Sequence, residues 1–181
     1  MSDRSSRNTL GLAAEFAVAS ELCRRGIYAQ LTLGHQKRTD ILVFSDSGQL
    51  ARIEVKSKQG ADWPNCKGVF GPNVFLVFVD YQHRQASQRP DFFVLSVKDW
   101  RKVLEKRVAE IQTRDPKKRI EITAENASVF VDQIGPNGKP YTGMGIRPSD
   151  LTAHRERWDK IQATVGAGEH HRVRDDEERA R

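Results

Sequence analysis

Cysteine is scarce in this chain and long apolar runs are missing. The two cysteines, Cys23 and Cys66, form neither a CxxC pair nor a zinc-ligand spacing, which argues against a disulfide framework and a thiolate metal site. So few thiols fit a reducing compartment, and the cytoplasm is the expected location. No segment approaches the ~18–20 apolar residues of a membrane helix. Residues Met1–Asn8 are polar and run straight into an amphipathic segment, without the apolar core and cleavage pattern of a secretory leader. A GxxxxGK[ST] loop is absent, which removes P-loop phosphate chemistry, and neither HExxH nor GxSxG occurs. Gly143-Met144-Gly145 lacks the strand–turn–helix setting of a dinucleotide fingerprint. No internal repeat is visible.

What is present describes a globular domain with a basic surface. At 181 residues the chain is long enough for one domain with a real core. Its 38% hydrophobic and 30% charged residues place it among ordinary folded proteins. The net charge of +6 and pI near 9.5 fit a polyanionic partner, since neutralising phosphates releases counterions. After Val165 the composition turns to Gly, Glu, Arg and Asp. The division expected is a domain over 1–165 and a disordered charged tail over 166–181.

Residues 9–25 read as a helix, rich in Ala, Leu and Glu and stopped by Arg24-Arg25-Gly26. Residues 27–33 suggest a short strand. Asp40–Phe44 and Leu50–Lys56, separated by the turn chemistry of Ser45–Gln49, read as a β-hairpin. Residues 57–73, with three Gly and two Pro, read as irregular. Val74–Val79 is a continuous apolar run of strand length, as expected of a strand buried on both faces. A short strand follows at 92–95. A helix from Ser96 as N-cap to about Gln112 comes next, and a last helix starts at Pro148-Ser149-Asp150. The order predicts an α/β architecture, a central mixed sheet flanked by helices.

The chemistry gathers on the hairpin. Residues i and i+2 of a strand share a face, so Glu54 and Lys56 lie together. A hairpin centred on Ser47 puts Asp40 opposite Glu54, bringing two carboxylates and an ammonium to one sheet face. Close carboxylates repel, and a hard divalent cation relieves them: Mg²⁺ takes one or two carboxylates plus water and phosphate oxygens. Lys56 then sits where it can orient a water or stabilise charge developing on phosphorus. On the first helix Glu15 has apolar neighbours at Leu12, Val18, Ala19 and Leu22. A carboxylate in such a stripe needs a partner, which makes Glu15 the candidate fourth member of the cluster. Glu21, with Arg24 and Arg25 at i+3 and i+4, reads as a solvated ion pair. Lys37 and Arg38 before the hairpin, and Lys58 and Gln59 after it, are candidate nucleic-acid contacts. His35 is a weaker one. Trp63 reads as a surface residue or a base-stacking one, and Trp100 and Trp158 as helix-packing core.

Gly11-x-x-x-Glu15, Arg24-Arg25-Gly26, Asp40 and Glu54-Val55-Lys56, in that order, resemble the PD-(D/E)XK nuclease superfamily, in the branch similar to archaeal Holliday junction resolvases. The resemblance covers roughly residues 9–100 and departs at Thr39, where a Pro is usual. It implies a restriction-endonuclease-like fold and Mg²⁺-dependent hydrolysis of DNA phosphodiesters, with Mn²⁺ as a substitute. It implies that Asp40, Glu54 and the Val55 carbonyl ligate the metal, that Lys56 assists the nucleophile and that Glu15 completes the cluster. Cleavage of two strands by analogy suggests a homodimer. The alternatives are a catalytically silent module on the same fold that binds nucleic acid or a partner, and an RNA nuclease.

Overall fold

The computed structural model describes residues 3–32, 39–45 and 48–166. Candidates His35, Lys37 and Arg38, and the tail from residue 167 onward, lie outside them.

Helix α1 (Asp3–Cys23) begins earlier than its apolar pattern indicates. Its end is set by chemistry visible in the sequence. Gly26 adopts a left-handed φ of 73°, the Gly26 N–H donates to the Cys23 carbonyl and the Ile27 N–H to the Leu22 carbonyl. Leu22 and Ile27 are both buried at this turn, which completes a Schellman-type stop with its apolar contact. Strands β1 (Tyr28–Leu31), β2 (Ile41–Phe44) and β3 (Leu50–Lys58) form an antiparallel ribbon. After β4 (Trp63–Cys66), β5 (Val74–Asp80) pairs in parallel with β3, and β6 (Asp91–Ser96) pairs antiparallel with β5. The central sheet is therefore mixed and five-stranded, in the order β1-β2-β3-β5-β6. All seven residues of β5 are buried, as its continuous apolar run predicts.

Helices flank this sheet. On one face α1 contributes Ala14, Val18 and Leu22 to a core with Ile41, Val43, Ile53, Phe75 and Val77. The short helix α3 (Asp159–Val165) adds Ile161 and Val165 there. The other face of β5 and β6 packs Leu76, Phe78 and Leu95 against α2 (Val97–Arg114) and Trp63. Ser96 and Asp99 close the expected capping box on α2. Trp100 is fully buried and Trp158 nearly so, as their helical spacing suggests.

Two regions differ from expectation. Residues 119–146, where periodicity is weak, form a three-stranded meander of β7 (Ile120–Ile122), β8 (Ser128–Ile134) and β9 (Pro140–Thr142), followed by β10 (Met144–Ile146) paired with β4. Strand β4 lies inside the stretch that reads as irregular. It becomes a strand through β10, brought against it at Gly143, whose φ of 116° and closeness to the Asn65 backbone leave no room for a side chain. The last helix does not run from Pro148. Two 3-10 turns, 148–150 and 152–154, precede α3. The intervening chain joins the edge of β6 instead: Arg155 bridges Phe93, and the Glu156 N–H donates to the Phe92 carbonyl with Glu156 at φ 54°.

Glu21 is likewise not a solvated pair. It is buried, and Arg25 at 2.6 Å and Arg89 at 2.7 and 3.0 Å hold its two oxygens. Arg89 also grips Glu156, while Arg25 stacks over Trp158 and Arg89 over Phe92. Arg89 is 68 residues from Glu21 in sequence, so i+3 and i+4 rules cannot find it. Its hydrogen bonds are the chief force lowering the Glu21 carboxyl to about 2, against the opposing effect of burial and with Arg25 assisting. A depressed carboxylate contributes stability that is complete above its unfolded value of 4.5 and lost as pH falls toward 2. We expect Glu21→Gln to lower the melting temperature at pH 7, and the gap to wild type to narrow between pH 4.5 and 2, as followed by thermal denaturation across that range.

Candidate active site

The site arises where β3 outlasts β2. The two strands pair from Ile41↔Ile53 to Phe44↔Leu50, and one more step in that register sets Asp40 opposite Glu54, as the hairpin spacing predicts. Asp40 is held on both sides by backbone: its N–H donates to the Ile53 carbonyl and its carbonyl accepts from the Thr32 N–H, each at 2.9 Å. Beyond that point β3 continues for four residues with β5 as its ladder partner. The edge left bare by β2 is met by a side chain, because Asp40 Oδ2 accepts the Val55 N–H at 2.6 Å. Since N–H and C=O of one strand residue point to the same side, the Val55 carbonyl also faces that bared edge.

Glu54 and Lys56 share a face as the strand period requires, and Lys56 Nζ lies 2.5 Å from Glu54 Oε1. The carboxylate is buried, while the Lys56 side chain above it keeps about a third of its surface, 32%. Burial pushes the Asp40 carboxyl above its ordinary value. The Val55 N–H and the Lys56 charge oppose that rise, and the Glu54 charge adds to it. Glu15 is also raised, by burial first and then by the charge of Asp40. The helix therefore delivers Glu15 within electrostatic reach of the hairpin. Its setting is not the closed apolar stripe of the helical pattern, however: Val18, Ala19 and Leu22 are buried, but Leu12 is 50% exposed. Glu15 sits at the margin of the core, partly open to water.

Lys58 is not at the surface where its place after the hairpin suggests. It lies at the end of β3, 3% exposed, and its ammonium bonds Asp80 at 2.7 Å, the Gly60 carbonyl at 3.0 Å and Gln82 at 3.1 Å. It also sits over the Trp63 ring. A cation so enclosed is not a surface phosphate contact. Trp63 is buried rather than at the surface, donating its indole N–H to the Val79 carbonyl and meeting Phe78 and Phe93 edge-on. Gln59 is exposed just past β3.

Strand β4 and the residue before it bring up Cys66 and Asp62, which spacing from the hairpin does not single out. Cys66 is buried, and its thiol is pushed up to about 12 by burial, with the charges of Lys56, Glu54 and Asp62 all acting on it. Asp62 thus belongs to the same electrostatic neighbourhood. Nothing in the spacing from Glu54 marks it.

Among the described residues no group of three or more His, Cys, Asp or Glu is placed to hold a metal together. The donors at the hairpin are two carboxylates and a backbone carbonyl. That set fits a hard cation that completes its shell with water and phosphate oxygens. The raised Asp40 agrees: a carboxylate lifted chiefly by burial, with the Glu54 charge adding a little, is one whose ionised form a divalent charge would favour.

No family model and no curated protein sequence matches this chain. Among solved structures it is similar to a bacterial homing endonuclease, I-Ssp6803I, at 16% identity and a TM-score of 0.44, covering 87% of this chain and 92% of that one. A likeness of that size assigns no residue, and the site rests on its own geometry. Among the described residues no helix is long and apolar enough to cross a membrane.

Two outcomes test this geometry. A carboxylate with a raised folded pKa costs stability as pH climbs past its unfolded value, which is 3.8 for Asp40. Asp40→Asn should therefore melt higher than wild type at pH 7 in the absence of divalent cations, with the difference vanishing toward pH 4. Lys58→Met should lose about 3–5 kcal/mol in chemical denaturation by stranding Asp80, and Lys58→Met with Asp80→Leu should regain most of it.

Proposed function

We propose that this protein is a metal-dependent endodeoxyribonuclease of the PD-(D/E)XK type, with a restriction-endonuclease-like fold. The observation that carries the reading is the bared edge of β3, where Asp40 grips the Val55 N–H beside the Glu54–Lys56 pair. Asp40, Glu54 and the Val55 carbonyl would hold Mg²⁺, or Mn²⁺ in its place. When bound, that ion would acidify a water and neutralise the phosphate under attack.

The chain's own groups do the remainder. The Val55 N–H fixes one oxygen of Asp40 and so restrains the orientation of its carboxylate. Glu54 is buried, with its Oε1 paired to Lys56. Lys56, more exposed than Glu54, can reach a phosphate lying over the site and offer a proton-donating ammonium to an oxygen that gains charge in the transition state. Glu15 lies close enough to Asp40 to tune the local charge, a positioning role rather than a ligand role. The basic net charge favours a polyanionic substrate.

Plasmid, duplex, branched DNA and RNA incubated with Mg²⁺ or Mn²⁺ should show DNA cleavage by wild type. Asp40→Ala, Glu54→Ala and Lys56→Ala should each lower the rate by at least ~10²-fold with the fold intact by circular dichroism. Persistent cleavage by purified Lys56→Ala would remove its assigned role. No cleavage by wild type on any substrate would favour the silent binding module.

A further inference from the structure

Among the described residues, one face of the central sheet is covered over β5 and β6 and over β3 at the buried Glu54, and it lies open toward the far end of β1 and β2. Helix α1 packs on the opposite face, against Ile41, Val43, Ala51 and Ile53. Their neighbours along β2 and β3 point the other way, and register carries them across the ribbon in rows. Thr32, Asp40 and Glu54 form the row of the candidate site. Gln30, Leu42 and Arg52 form the next. Tyr28, Phe44 and Leu50 form the third, each the direct cross-strand partner of the last. Alternation predicts polar residues on an open face. The third row is instead apolar and exposed: Tyr28 63%, Phe44 40% and Leu50 43%.

We propose that Tyr28 and Phe44 are a base-stacking platform for an unpaired DNA strand leading away from the candidate active site. The proposal rests on the nuclease reading above and specifies its substrate class. Direct cross-strand partners hold their Cβ atoms about 5 Å apart, so the two rings stand side by side. Phe44 is four residues along β2 from Asp40, about 13 Å, within the span of a few nucleotides. Leu42 and Arg52 lie in the row between them, the Arg52 guanidinium turned toward Gly71. Aromatic rings on a sheet surface stack on bases only when those bases offer a face. In an intact duplex the faces are buried in the stack and only edges are available, so the platform selects single-stranded, flapped or branched DNA. A second protein chain is the poorer occupant. The row presents on the order of 300 Å², well below the ~800 Å² per partner of a stable interface.

The test uses fluorescence anisotropy in EDTA, so that nothing is cut, with labelled single-stranded, flapped and blunt duplex DNA of one sequence. Tyr28→Thr and Phe44→Thr keep strand propensity at exposed positions, and circular dichroism checks the fold. Wild type should bind single-stranded and flapped DNA about tenfold or more tighter than blunt duplex. Each variant should lose about tenfold on the first two and little on the duplex. Equal loss on all three DNAs, or none, overturns the platform. So does a loss of self-association in sedimentation with DNA binding unchanged, which would give the row to a second copy. Binding here needs no cleavage, so the two readings fail separately. A wild type that cuts but whose variants bind normally sinks the platform alone. A wild type that never cuts yet discriminates through Tyr28 and Phe44 sinks the nuclease alone.

Discussion

Parallel pairing of β3 with β5, unbroken from Arg52↔Val74 to Lys58↔Asp80, holds a strand in place beyond the point where its other neighbour has stopped. Strand β2 has four residues and β3 has nine. The mismatch leaves backbone groups of β3 facing outward next to a buried sheet, where an unpaired N–H is costly. Asp40 answers one of them with its carboxylate. The candidate site is thus a strand end in which a side chain replaces a missing strand. The cluster depends on β3 staying extended and on β5 being buried enough to keep it so.

Two kinds of charge coexist around that strand. Lys58–Asp80 and the Glu21–Arg25–Arg89–Glu156 network are buried or half-buried but compensated, and they tie elements together. Asp99 does the same for α2 and α3, its carboxyl held at about 2 against burial by Lys160 and Ser96. Asp40 and Glu15 are the opposite case, with carboxyls raised first by burial, and then by the charge of Glu54 on Asp40 and of Asp40 on Glu15. Structural pairs lower carboxylate pKa values and functional clusters commonly raise them, because the charge that would complete a functional cluster arrives with the ligand. That contrast separates Glu21 from Glu15, although both are glutamates on one helix.

The hairpin, the buried β5 strand, the helix stop at Gly26 and the Ser96 cap were legible because each depends on residues close in sequence. The pairing of Asp40 with Glu54 was legible for the same reason: a turn of fixed length sets the register, and register sets the partners. Lys58 was misread because its neighbour Lys56 follows the same face rule, yet only β5, arriving 22 residues later with Asp80, decides that one lysine is enclosed and the other is not. The partners that enclose Glu21 and Trp63, Arg89 for the one and Val79, Phe78 and Phe93 for the other, are likewise distant in sequence.

Local pattern alone thus determined the mixed α/β class, the order of its main elements and the placing of Asp40, Glu54 and Lys56 on one face, since strand period and turn length act over a few residues. Tertiary structure alone decided which charges are buried, that Glu15 stands at the rim of the core, that Cys66 of β4 lies within electrostatic reach of Glu54 and Lys56, and that Tyr28, Phe44 and Leu50 line up in the open. Those facts depend on contacts between distant segments, and burial is a property of everything packed around a residue rather than of its sequence neighbours.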